Sequence, residues 1–387
     1  MIVKNKPRAL IAHGGGPTAV LNASLAGVID SARGHFSELY GARFGLLGVL
    51  NDDLPDLFQI APERIAAMSQ TPGSALGSTR LRLTGQDFNR IVAELKRRDI
   101  RVVFYTGGNG SMQTGLDLLS HSRISNFELQ AIGIPKTIDN DLSVTHHSPG
   151  YASTAHFFAC AARDAGADCK SLPSPVCLLE TLGRNTGWIV AATSLARKTP
   201  DDAPHLIYLP ERPVSLEKIA SDVETVYRRL GYVVVSVCEG QRDENGSPFG
   251  ADVDRPDSSV HNLASNLGHT LANRLSGMLG IRCRAEKPGL IGRSCGMFAR
   301  KRDRREAYSA GANAVLAATE GHNGVMVALD GDGGTFLTSL ESVARREKPI
   351  PEAWIAGSDN DVLRAFTEYA TPLAGDIAGY PDLWEAS

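Results

Sequence analysis

Residues 107–141 read GGNGSMQTGLDLLSHSRISNFELQAIGIPKTIDND. The stretch opens with a glycine turn after the apolar run Val102–Thr106 and continues as a helical pattern. A second apolar run, Glu128–Gly133, then leads to a Lys-Thr-Ile-Asp-Asn-Asp cluster. Two apolar strands that flank a helix are typical of a βαβ unit with parallel strands. The glycine turn suits a phosphate chain, and the cluster supplies a lysine and two carboxylates. Together they indicate the chemistry of phosphoryl transfer to a hydroxyl group.

The same alternation continues along the chain, which at 387 residues can hold two domains with sizeable cores. The apolar runs predict strands at Arg8–His13, Val102–Thr106, Glu128–Gly133, Val176–Glu180, Leu206–Leu209, Tyr232–Cys238 and Val325–Leu329. Helices are expected between them at Ala19–Ala32, Gln86–Arg98, Met112–His121, Ser153–Ala165, Asn185–Arg197, Leu216–Leu230, Val260–Ser276 and Arg304–Glu320. Strands that are apolar almost throughout are typical of parallel sheets covered on both faces. We therefore predict an α/β fold with two mostly parallel sheets that face one cleft.

The composition argues against several classes of function. The net charge is −3, so no basic surface points to nucleic acid. No apolar run is long enough to span a membrane, and the first residues lack the pattern of a secretory signal. The six cysteines form no C-x-x-C pair and are expected to be reduced thiols, as in the cytosol. These features predict a cytoplasmic enzyme.

Two further glycine-rich turns have the composition of phosphate-binding loops. His13–Thr18 reads HGGGPT and precedes a predicted helix, whose N-terminus offers free N–H groups. Gly73–Arg80 reads GSALGSTR and ends in an arginine that can bind phosphate oxygens. Each turn alone is equally compatible with a loop that binds nothing. With Gly107–Ser111 they make three such loops in one chain, which makes coincidence a poor explanation.

The cluster Pro135–Asp141 contains the groups that a kinase needs. A kinase takes a proton from the attacking hydroxyl and neutralises charge on the moving phosphoryl group. Asp139 can act as the base, and Lys136 can hold the phosphoryl oxygens. Asp141 can be the partner of the base or a magnesium ligand.

Candidates for binding the acceptor lie at later strand ends. Arg184 could reach a sugar or its phosphate, and Glu239 could accept hydrogen bonds from sugar hydroxyls. Arg284 and Arg293 bracket a Pro-Gly turn and could clamp a phosphomonoester. In isolation, a solvated surface position is the default interpretation of each of these residues.

Taken together, these segments resemble the phosphofructokinase family over nearly the whole length, to about Leu329. Lys136–Asp141 resembles the family's TIDND segment, and GSALGSTR resembles its GGSxLGSSR loop. Glu180–Gly187 is similar to the E-x-MGR-x-x-G segment, with Leu182 in place of methionine. Asp303–Ala307 resembles the D-R-x-x-A helix start. The combination is specific, although each match alone is not.

The resemblance implies a fold, an activity and partners. The fold would be two similar Rossmann-like domains with mostly parallel sheets and a shared active-site cleft. The activity would be magnesium-dependent phosphoryl transfer to the 1-hydroxyl of fructose 6-phosphate, which gives the glycolytic intermediate fructose 1,6-bisphosphate. A homodimer or homotetramer is expected, in which one arginine of the acceptor site often comes from a neighbouring subunit. Neither nucleic acid nor membrane is expected to take part.

The resemblance also implies a role for each matching residue. The catalytic set would be Asp139, as the base that deprotonates the 1-hydroxyl, with Lys136, Arg80 and Thr137. The donor phosphates would be held by Gly15, Gly16, Arg80, Gly108, Asn109, Gly110 and Ser111. The acceptor would contact Thr137, Asp139, Asp141, Leu182, Gly183, Arg184, Glu239, Arg284 and Arg293, the last two at its 6-phosphate. Magnesium would have Asp141 and, as a poorer ligand, Asn109.

Three positions give conflicting indications about the phosphoryl donor. ATP-using members carry GGDGS where this chain has Asn109. Pyrophosphate-using relatives often carry GGDDS or GGNDS, with an acidic residue at the place of Gly110. That carboxylate occupies the space of the ATP α-phosphate, so a glycine there opens room for a nucleoside triphosphate. Lys136, in contrast, is typical of the pyrophosphate branch, to which the chain is closest. We take ATP as the preferred donor and pyrophosphate as the alternative.

The acceptor and the effector are also open. Leu290-Ile291-Gly292 replaces the His or Asn and the Gln that members often carry before the last arginine, so sedoheptulose 7-phosphate or another sugar phosphate is an alternative acceptor. Ala26 and Asp30 stand where allosteric bacterial members carry arginines, which argues against an anionic nucleotide effector there. A kinase of NAD or of a lipid is opposed by the PKTIDND cluster. A sensor of sugar phosphates without turnover is opposed by Asp139 and Asp141.

The domain boundaries follow from these segments. Residues 1–141 are predicted to form a donor-phosphate-binding α/β domain that is completed by about residues 294–345. Residues 142–293 would form a sugar-phosphate-binding α/β domain, and residues 346–387 a C-terminal segment packed on the body. The polar stretch Gln241–Asp257 is expected to be a surface excursion.

Overall fold

The computed structural model describes residues 6–172, 175–249 and 266–381. Its strands are β1 (Arg8–His13), β2 (Glu38–Gly41), β3 (Ile100–Gly107), β4 (Gln130–Pro135), β5 (Val176–Thr181), β6 (Leu206–Tyr208), β7 (Val233–Cys238), β8 (Cys283–Glu286), β9 (Val325–Leu329) and β10 (Thr335–Ser339). Its helices are α1 (Leu21–Ala32), α2 (Leu47–Leu50), α3 (Pro62–Ser69), α4 (Gly85–Arg97), α5 (Asn109–Ile124), α6 (Tyr151–Lys170), α7 (Trp188–Ala192), α8 (Leu216–Leu230), α9 (Leu267–Leu279), α10 (Leu290–Ser294), α11 (Lys301–Thr319), α12 (Leu340–Val343) and α13 (Arg364–Ala374).

The chain divides into two compact units. Unit 1 comprises Met1–Tyr151 and Ser294–Lys348, and unit 2 comprises Ala152–Arg293 and Pro349–Ser387. The chain therefore first passes from unit 1 to unit 2 after Tyr151, whereas the sequence analysis placed this boundary after Asp141. Of the residues expected to form a separate C-terminal segment, 346–348 belong to unit 1 and those from Pro349 onward belong to unit 2, in which Arg364–Ala374 is helical.

Unit 1 is built on a six-stranded sheet of order β10-β9-β4-β3-β1-β2. Its neighbouring strands are parallel except for β10, which runs antiparallel to β9. Alternate residues of β3 face opposite cores. Val102 and Phe104 belong to the core that includes α1 and α11, whereas Val103 and Tyr105 belong to the core that includes α4 and α5. This covering on both faces explains why the central strands are apolar at nearly every position.

Unit 2 is built on a four-stranded parallel sheet of order β6-β7-β5-β8. Leu178, Val235 and Leu271 belong to one core, which joins β5 and β7 to α9. On the other face, Cys177 of β5 packs with Cys169 of α6. Each unit is therefore an α/β layer arrangement with helices on both faces of a sheet, as the sequence predicts.

All seven predicted strands form, with small shifts at their ends. The prediction missed β2, β8 and β10, which are edge strands of the two sheets. The helix predicted at Asn185–Arg197 is wrong in its extent, because α7 spans only Trp188–Ala192 and a 3-10 turn follows at Thr193–Ala196. An edge strand has a neighbouring strand on one side only and is more exposed to solvent. Its residues therefore need not be apolar, and its sequence pattern is weak.

Two predicted segments fall partly outside the described residues. Of the helix expected at Val260–Ser276, the described part begins at Leu267 and extends to Leu279. Of the surface excursion Gln241–Asp257, residues 241–249 form turns, and residues 250–257 lie outside the described ranges. Within those ranges, no helix combines the length and the apolar composition needed to cross a bilayer.

Candidate active site

In unit 1, two of the predicted phosphate loops, His13–Thr18 and Gly107–Ser111, and the cluster Pro135–Asp141 follow three neighbouring parallel strands. β1 pairs with β3, and β3 pairs with β4. His13, Gly107 and Pro135 are the last residues of these strands. Because the carboxyl ends of parallel strands meet at one edge of a sheet, the segments that follow them lie side by side. The residues predicted to hold the donor are thus brought together by the topology of unit 1.

Backbone hydrogen bonds join these loops to one another. Gly14 N donates to Thr106 O at 2.9 Å, and Gly15 N donates to Thr79 O at 3.0 Å. Ser78 Oγ donates to Gly15 O at 2.6 Å, which ties the loop Gly73–Arg80 to the first glycine turn. The loop Gly73–Arg80 does not follow a strand, but these bonds hold it against the other loops.

Two glycines are required by close approach. A Cβ at Gly107 would collide with the side chain of Ser111. A Cβ at Gly14 would collide with the same hydroxyl and would lie 2.9 Å from the hydroxyl of Tyr105. Glycine at these two positions therefore allows the loops to pack closely against Ser111 and Tyr105.

Lys136 is buried at the junction of these loops. The residue is 4% exposed, and its Nζ donates to Gly16 O at 2.8 Å. Its backbone N donates to Gly107 O at 3.1 Å. An ammonium that is buried costs free energy unless it is hydrogen-bonded or faces an anion. Lys136 therefore places its positive charge beside the turn that contains Gly15 and Gly16, while its backbone is bonded to the turn that begins at Gly107.

His13 was not assigned a role from the sequence, yet it lies in the same group. Its Nδ1 is 2.8 Å from Ser74 Oγ, and Ser74 Oγ donates to Gly77 O at 2.7 Å. Since the hydroxyl proton is used there, Nδ1 of His13 is the donor of the first bond. Burial, and then the charge of Lys136, lower the pKa of His13 to about 3. The ring is therefore neutral and ties β1 to the loop Gly73–Arg80.

The segment Pro135–Asp141 forms a turn that carries two carboxylates, those of Asp139 and Asp141. Asp139 N donates to Thr137 Oγ1 at 3.1 Å, which folds the segment into a turn. Asp141 is half-buried, and its Oδ2 accepts a hydrogen bond from Asn109 Nδ2 at 2.9 Å. Burial raises the pKa of Asp141 to about 7, and the negative charges of Asp139 and Glu347 add to the shift. This is a position where a cation would be stabilised.

The oxygens of Asn109 and Asp141 fit the chemistry of Mg²⁺. Oδ1 of each residue is buried without a hydrogen-bond partner in the described part of the chain. Mg²⁺ is usually held by one or two protein oxygens while it keeps waters and contacts substrate phosphates. No group of three or more His, Cys, Asp or Glu side chains in the described ranges could hold a metal alone. A site shared with a phosphate ligand is the arrangement that these residues suit.

The remaining donor-site candidates differ in how they are held. Arg80 is exposed at the end of its loop. Gly108 caps α5, and a Cβ added to it would lie 3.6 Å from Lys136 O. A Cβ at Gly110 would meet no described atom within 4 Å, so the space above the first turn of α5 is open.

In unit 2, the acceptor candidates Gly183, Arg184 and Glu239 follow the neighbouring strands β5 and β7. Glu239 N donates to Thr181 O at 3.1 Å, and Gly240 N donates to Gly183 O at 3.1 Å. A Cβ at Gly240 would collide with the backbone of Arg184, which explains the glycine there. Leu182 lies half-buried in the same turn. The structure thus brings these predicted residues together.

Two charged residues that the sequence analysis did not single out complete this group. Lys287 Nζ lies 2.6 Å from Glu180 Oε1, and the Glu180 side chain is 1% exposed. Gly268 N, at the start of α9, donates to Glu180 Oε2 at 2.7 Å. Burial raises the pKa of Glu239, and the charges of Arg184 and Lys287 oppose that shift. Lys287 could have been noticed from its place within the Arg284–Arg293 bracket.

Arg284 and Arg293, unlike the other acceptor candidates, do not follow the carboxyl ends of β5 and β7. Arg284 pairs in register with Cys177, near the beginning of β5, and its guanidinium forms an ion pair with Asp168 of α6. Arg293 lies on α10, where a Cβ at Gly292 would be 2.6 Å from the ring of Phe158. Arg184 and Glu239, in contrast, follow the carboxyl ends of their strands. The ion pair with Asp168 links Arg284 to the end of α6.

Comparisons with known proteins agree with this arrangement. The family model for phosphofructokinase matches residues 8–318. The chain is 36% identical to a pyrophosphate–fructose 6-phosphate 1-phosphotransferase of Rhodospirillum rubrum, over 98% of this chain and 96% of that protein. It is 35% identical to the enzyme of that name from Xanthomonas campestris pv. campestris, over 94% of this chain and 90% of that protein. The crystal structure of a pyrophosphate-dependent phosphofructokinase from Nitrosospira multiformis superposes with a TM-score of 0.87 at 31% identity, covering 98% of this chain and 95% of that one. The chain belongs to the phosphofructokinase family.

Proposed function

We propose that this protein transfers a phosphoryl group from pyrophosphate to the 1-hydroxyl of fructose 6-phosphate, with Mg²⁺ as the cofactor. The relatives described above carry pyrophosphate in their names and cover nearly the whole chain. They favour the alternative donor over ATP, which the sequence analysis preferred. The products would be fructose 1,6-bisphosphate and orthophosphate.

The observation that carries this proposal is the buried ammonium of Lys136. This ammonium donates a hydrogen bond to the carbonyl oxygen of Gly16 and lies 3.0 Å from the position that a Cβ at Gly15 would take. Pyrophosphate has no nucleoside, so a protein recognises it through its negative charge and its phosphate oxygens. A buried ammonium that is fixed beside a glycine turn recognises those two features.

The base in this proposal is Asp139. A carboxylate held in a turn by the Thr137 hydroxyl can accept the proton of the attacking hydroxyl while the phosphoryl group moves. Lys136 and Arg80 would hold the oxygens that gain charge, which is the largest catalytic contribution in this type of reaction. Gly108 and Ser111 would contribute to binding the donor at the start of α5.

Mg²⁺ would be held by Asp141 and Asn109 together with the donor phosphates. When bound, the cation supplies neutralisation of the phosphate charge. Its presence would also lower the pKa of Asp141 from its raised value, since an opposite charge favours the carboxylate form. Asn109 would orient Asp141 through the hydrogen bond between their side chains.

The acceptor would be bound by unit 2. Glu239 would accept hydrogen bonds from sugar hydroxyls, and Arg184 would bind the sugar or its phosphate, with Leu182 and Gly183 shaping the turn. Arg284 and Arg293 remain candidates for the 6-phosphate. Arg284 would then have to exchange its pairing with Asp168 or serve a neighbouring subunit.

A coupled assay of fructose 1,6-bisphosphate formation tests the donor directly. Pyrophosphate and ATP are compared at equal Mg²⁺ and saturating fructose 6-phosphate. We expect turnover with pyrophosphate that disappears when inorganic pyrophosphatase is added first, and turnover with ATP that is at least about tenfold lower. Turnover with ATP alone would reject the proposed donor.

ATP remains a second candidate because of one feature, the open space at Gly110. The variant Gly110→Asp tests it, since a carboxylate in that space would repel and obstruct a third phosphate. If ATP is a donor, Gly110→Asp should abolish its use and retain pyrophosphate-dependent turnover. Unchanged ATP kinetics in this variant would show that another residue selects the donor.

A second acceptor is suggested by Leu290–Gly292, where the family's usual polar residues are absent. Competition between fructose 6-phosphate and sedoheptulose 7-phosphate at equal concentration would rank the two. We expect kcat/KM to be higher for fructose 6-phosphate. Light scattering on the same preparation tests the expected homodimer or homotetramer.

A further inference from the structure

The backbone is unusual at the end of the segment Pro135–Asp141 and in the turn that follows it. Asn140 has φ of 54° and is fully buried, and Val144 has φ of 71°. A β-branched residue rarely adopts this left-handed conformation, which costs free energy that the surroundings must offset. Ser148 N donates to Asn140 Oδ1 at 3.0 Å and closes the turn from one side. Something else must hold residues 141–146.

The last residues of unit 1 provide that support. Lys348 N donates to Asp141 O at 2.8 Å, and Leu142 forms an antiparallel bridge with Glu347. Ser143 Oγ donates to Ser342 O at 2.7 Å. The segment Ser342–Lys348 therefore runs alongside the turn and is hydrogen-bonded to it at Asp141 and Ser143, on either side of the bridge at Leu142. All of these contacts lie within unit 1.

The side chain of Lys348 adds two further bonds. Its Nζ donates to Thr145 O at 3.0 Å and to His146 O at 2.9 Å. Burial lowers the pKa of this ammonium to about 8, and the charge of Asp141 opposes that shift. One side chain thus satisfies two carbonyls, immediately after the left-handed residue Val144. Charge-assisted bonds of this kind are stronger than those between neutral groups.

We propose that Lys348 is a positioning residue that fixes the turn 141–146 and, through it, the orientation of Asp139 and Asp141. This inference rests on the proposed function only in that Asp139 is taken as the base. Lys348 need not touch either substrate. Lys348 follows Asp141 by about 200 residues in the chain, so the sequence gives no sign of such a role.

The test compares Lys348→Met and Lys348→Arg with the wild type. Methionine fills a similar volume but removes the ammonium that donates to both carbonyls. We expect kcat to fall about tenfold to a hundredfold, with KM for each substrate within about twofold of wild type, because misplaced catalytic groups slow the chemical step. Arginine keeps the charge and the donors and should restore most of kcat. Lys96→Met is the matched control, since Lys96 donates to Ser125 O at 3.3 Å on the exposed surface.

Hydrogen exchange supplies a readout that does not depend on activity. Amides of residues 142–148 should exchange faster in Lys348→Met than in wild type, and Lys96→Met should leave them unchanged. A wild type that is inactive with both donors would reject the proposed function, while the exchange result would still decide whether Lys348 holds the turn.

Three results would overturn the inference. These are an unchanged kcat in folded Lys348→Met, a parallel rise of KM and fall of kcat, and exchange of 142–148 equal to wild type. If the methionine variant does not fold, Ser143→Ala replaces it, because it removes one bond of the same support. A folded Ser143→Ala protein with wild-type kcat and wild-type exchange would then reject the role of this segment.

Discussion

The candidate donor site in unit 1 is formed mainly by backbone groups, whereas the candidate acceptor site in unit 2 is formed mainly by charged side chains. In unit 1, three loops are joined through backbone atoms, and glycines such as Gly14 and Gly107 permit their close approach. In unit 2, side chains of opposite charge lie side by side, as in the pair of Lys287 with Glu180. A backbone cradle suits a small anion of high symmetry, whereas paired side chains suit an asymmetric molecule with hydroxyls and a phosphate. The comparison predicts that changes in unit 1 alter turnover and donor use, and that changes in unit 2 alter acceptor affinity.

The largest effect is expected from Asp139→Ser. Without a carboxylate to accept the hydroxyl proton, turnover should fall about a thousandfold, while the midpoint of thermal unfolding and sugar-phosphate binding stay near wild type. Steady-state kinetics and isothermal titration with fructose 6-phosphate measure the two quantities. Turnover within about tenfold of wild type would remove Asp139 from the role of base.

A smaller but still large effect is expected from Gly107→Ala. The added methyl group collides with Ser111, so the start of α5 must shift away from its place beside β3. We expect kcat/KM for the donor to fall about a hundredfold, with little change in KM for the acceptor. Gly85→Ala is the control, because its Cβ would meet only His121 Cε1 at 3.8 Å. Equal losses toward both substrates would contradict the division of labour between the units.

Arg184→Met tests the other half of the comparison. Loss of a charge-assisted hydrogen bond should raise KM for fructose 6-phosphate about tenfold or more and leave KM for the donor unchanged. Arg282→Met, at an exposed arginine of the same unit, should behave as wild type. A changed donor KM in Arg184→Met would indicate that unit 2 is not confined to the acceptor.

The last prediction concerns stability in acid and leaves catalysis aside. His205 Nδ1 accepts a hydrogen bond from Val234 N at 2.9 Å, and burial lowers the pKa of His205 to about 4. The unfolded chain then binds the proton more readily, so the stability contribution is present above about pH 6.5 and is lost as the pH falls toward 4. The loss should amount to at most about 3 kcal/mol.

Chemical denaturation between pH 7 and pH 4.5 measures this slope. His205→Gln should flatten it, whereas His35→Gln, at an exposed histidine of unit 1, should not. An unchanged slope in His205→Gln would assign the acid sensitivity to other groups.

The sequence predicted much of the fold because the central strands are buried on both faces. Val176–Glu180 is apolar up to its last residue, and such runs are recognisable without any structure. β8 reads CRAE and is half-exposed at an edge, so no apolar pattern marks it. Helix α13 contains Pro372, and a proline in a sequence argues against a helix. The helix forms nevertheless, and Ala370 and Leu373 on either side of Pro372 are buried.

The candidate site was predictable where chemistry is concentrated in short segments. Lys136, Thr137, Asp139 and Asp141 follow one strand, so their proximity follows from the sequence itself. Lys348 lies in RREKPIP, where a lysine among charged residues is typical of a solvated surface. Its role depends on a contact between distant segments, which only the folded chain reveals.

The most direct test of the central claim is phosphorus NMR of the wild-type protein with fructose 6-phosphate, pyrophosphate and Mg²⁺. The pyrophosphate signal should decline while signals of fructose 1,6-bisphosphate and orthophosphate rise together, and the same mixture should be reached from the products. A pyrophosphate signal that stays constant, in a preparation that phosphorylates the sugar from ATP, would contradict the claim that unit 1 is a pyrophosphate site.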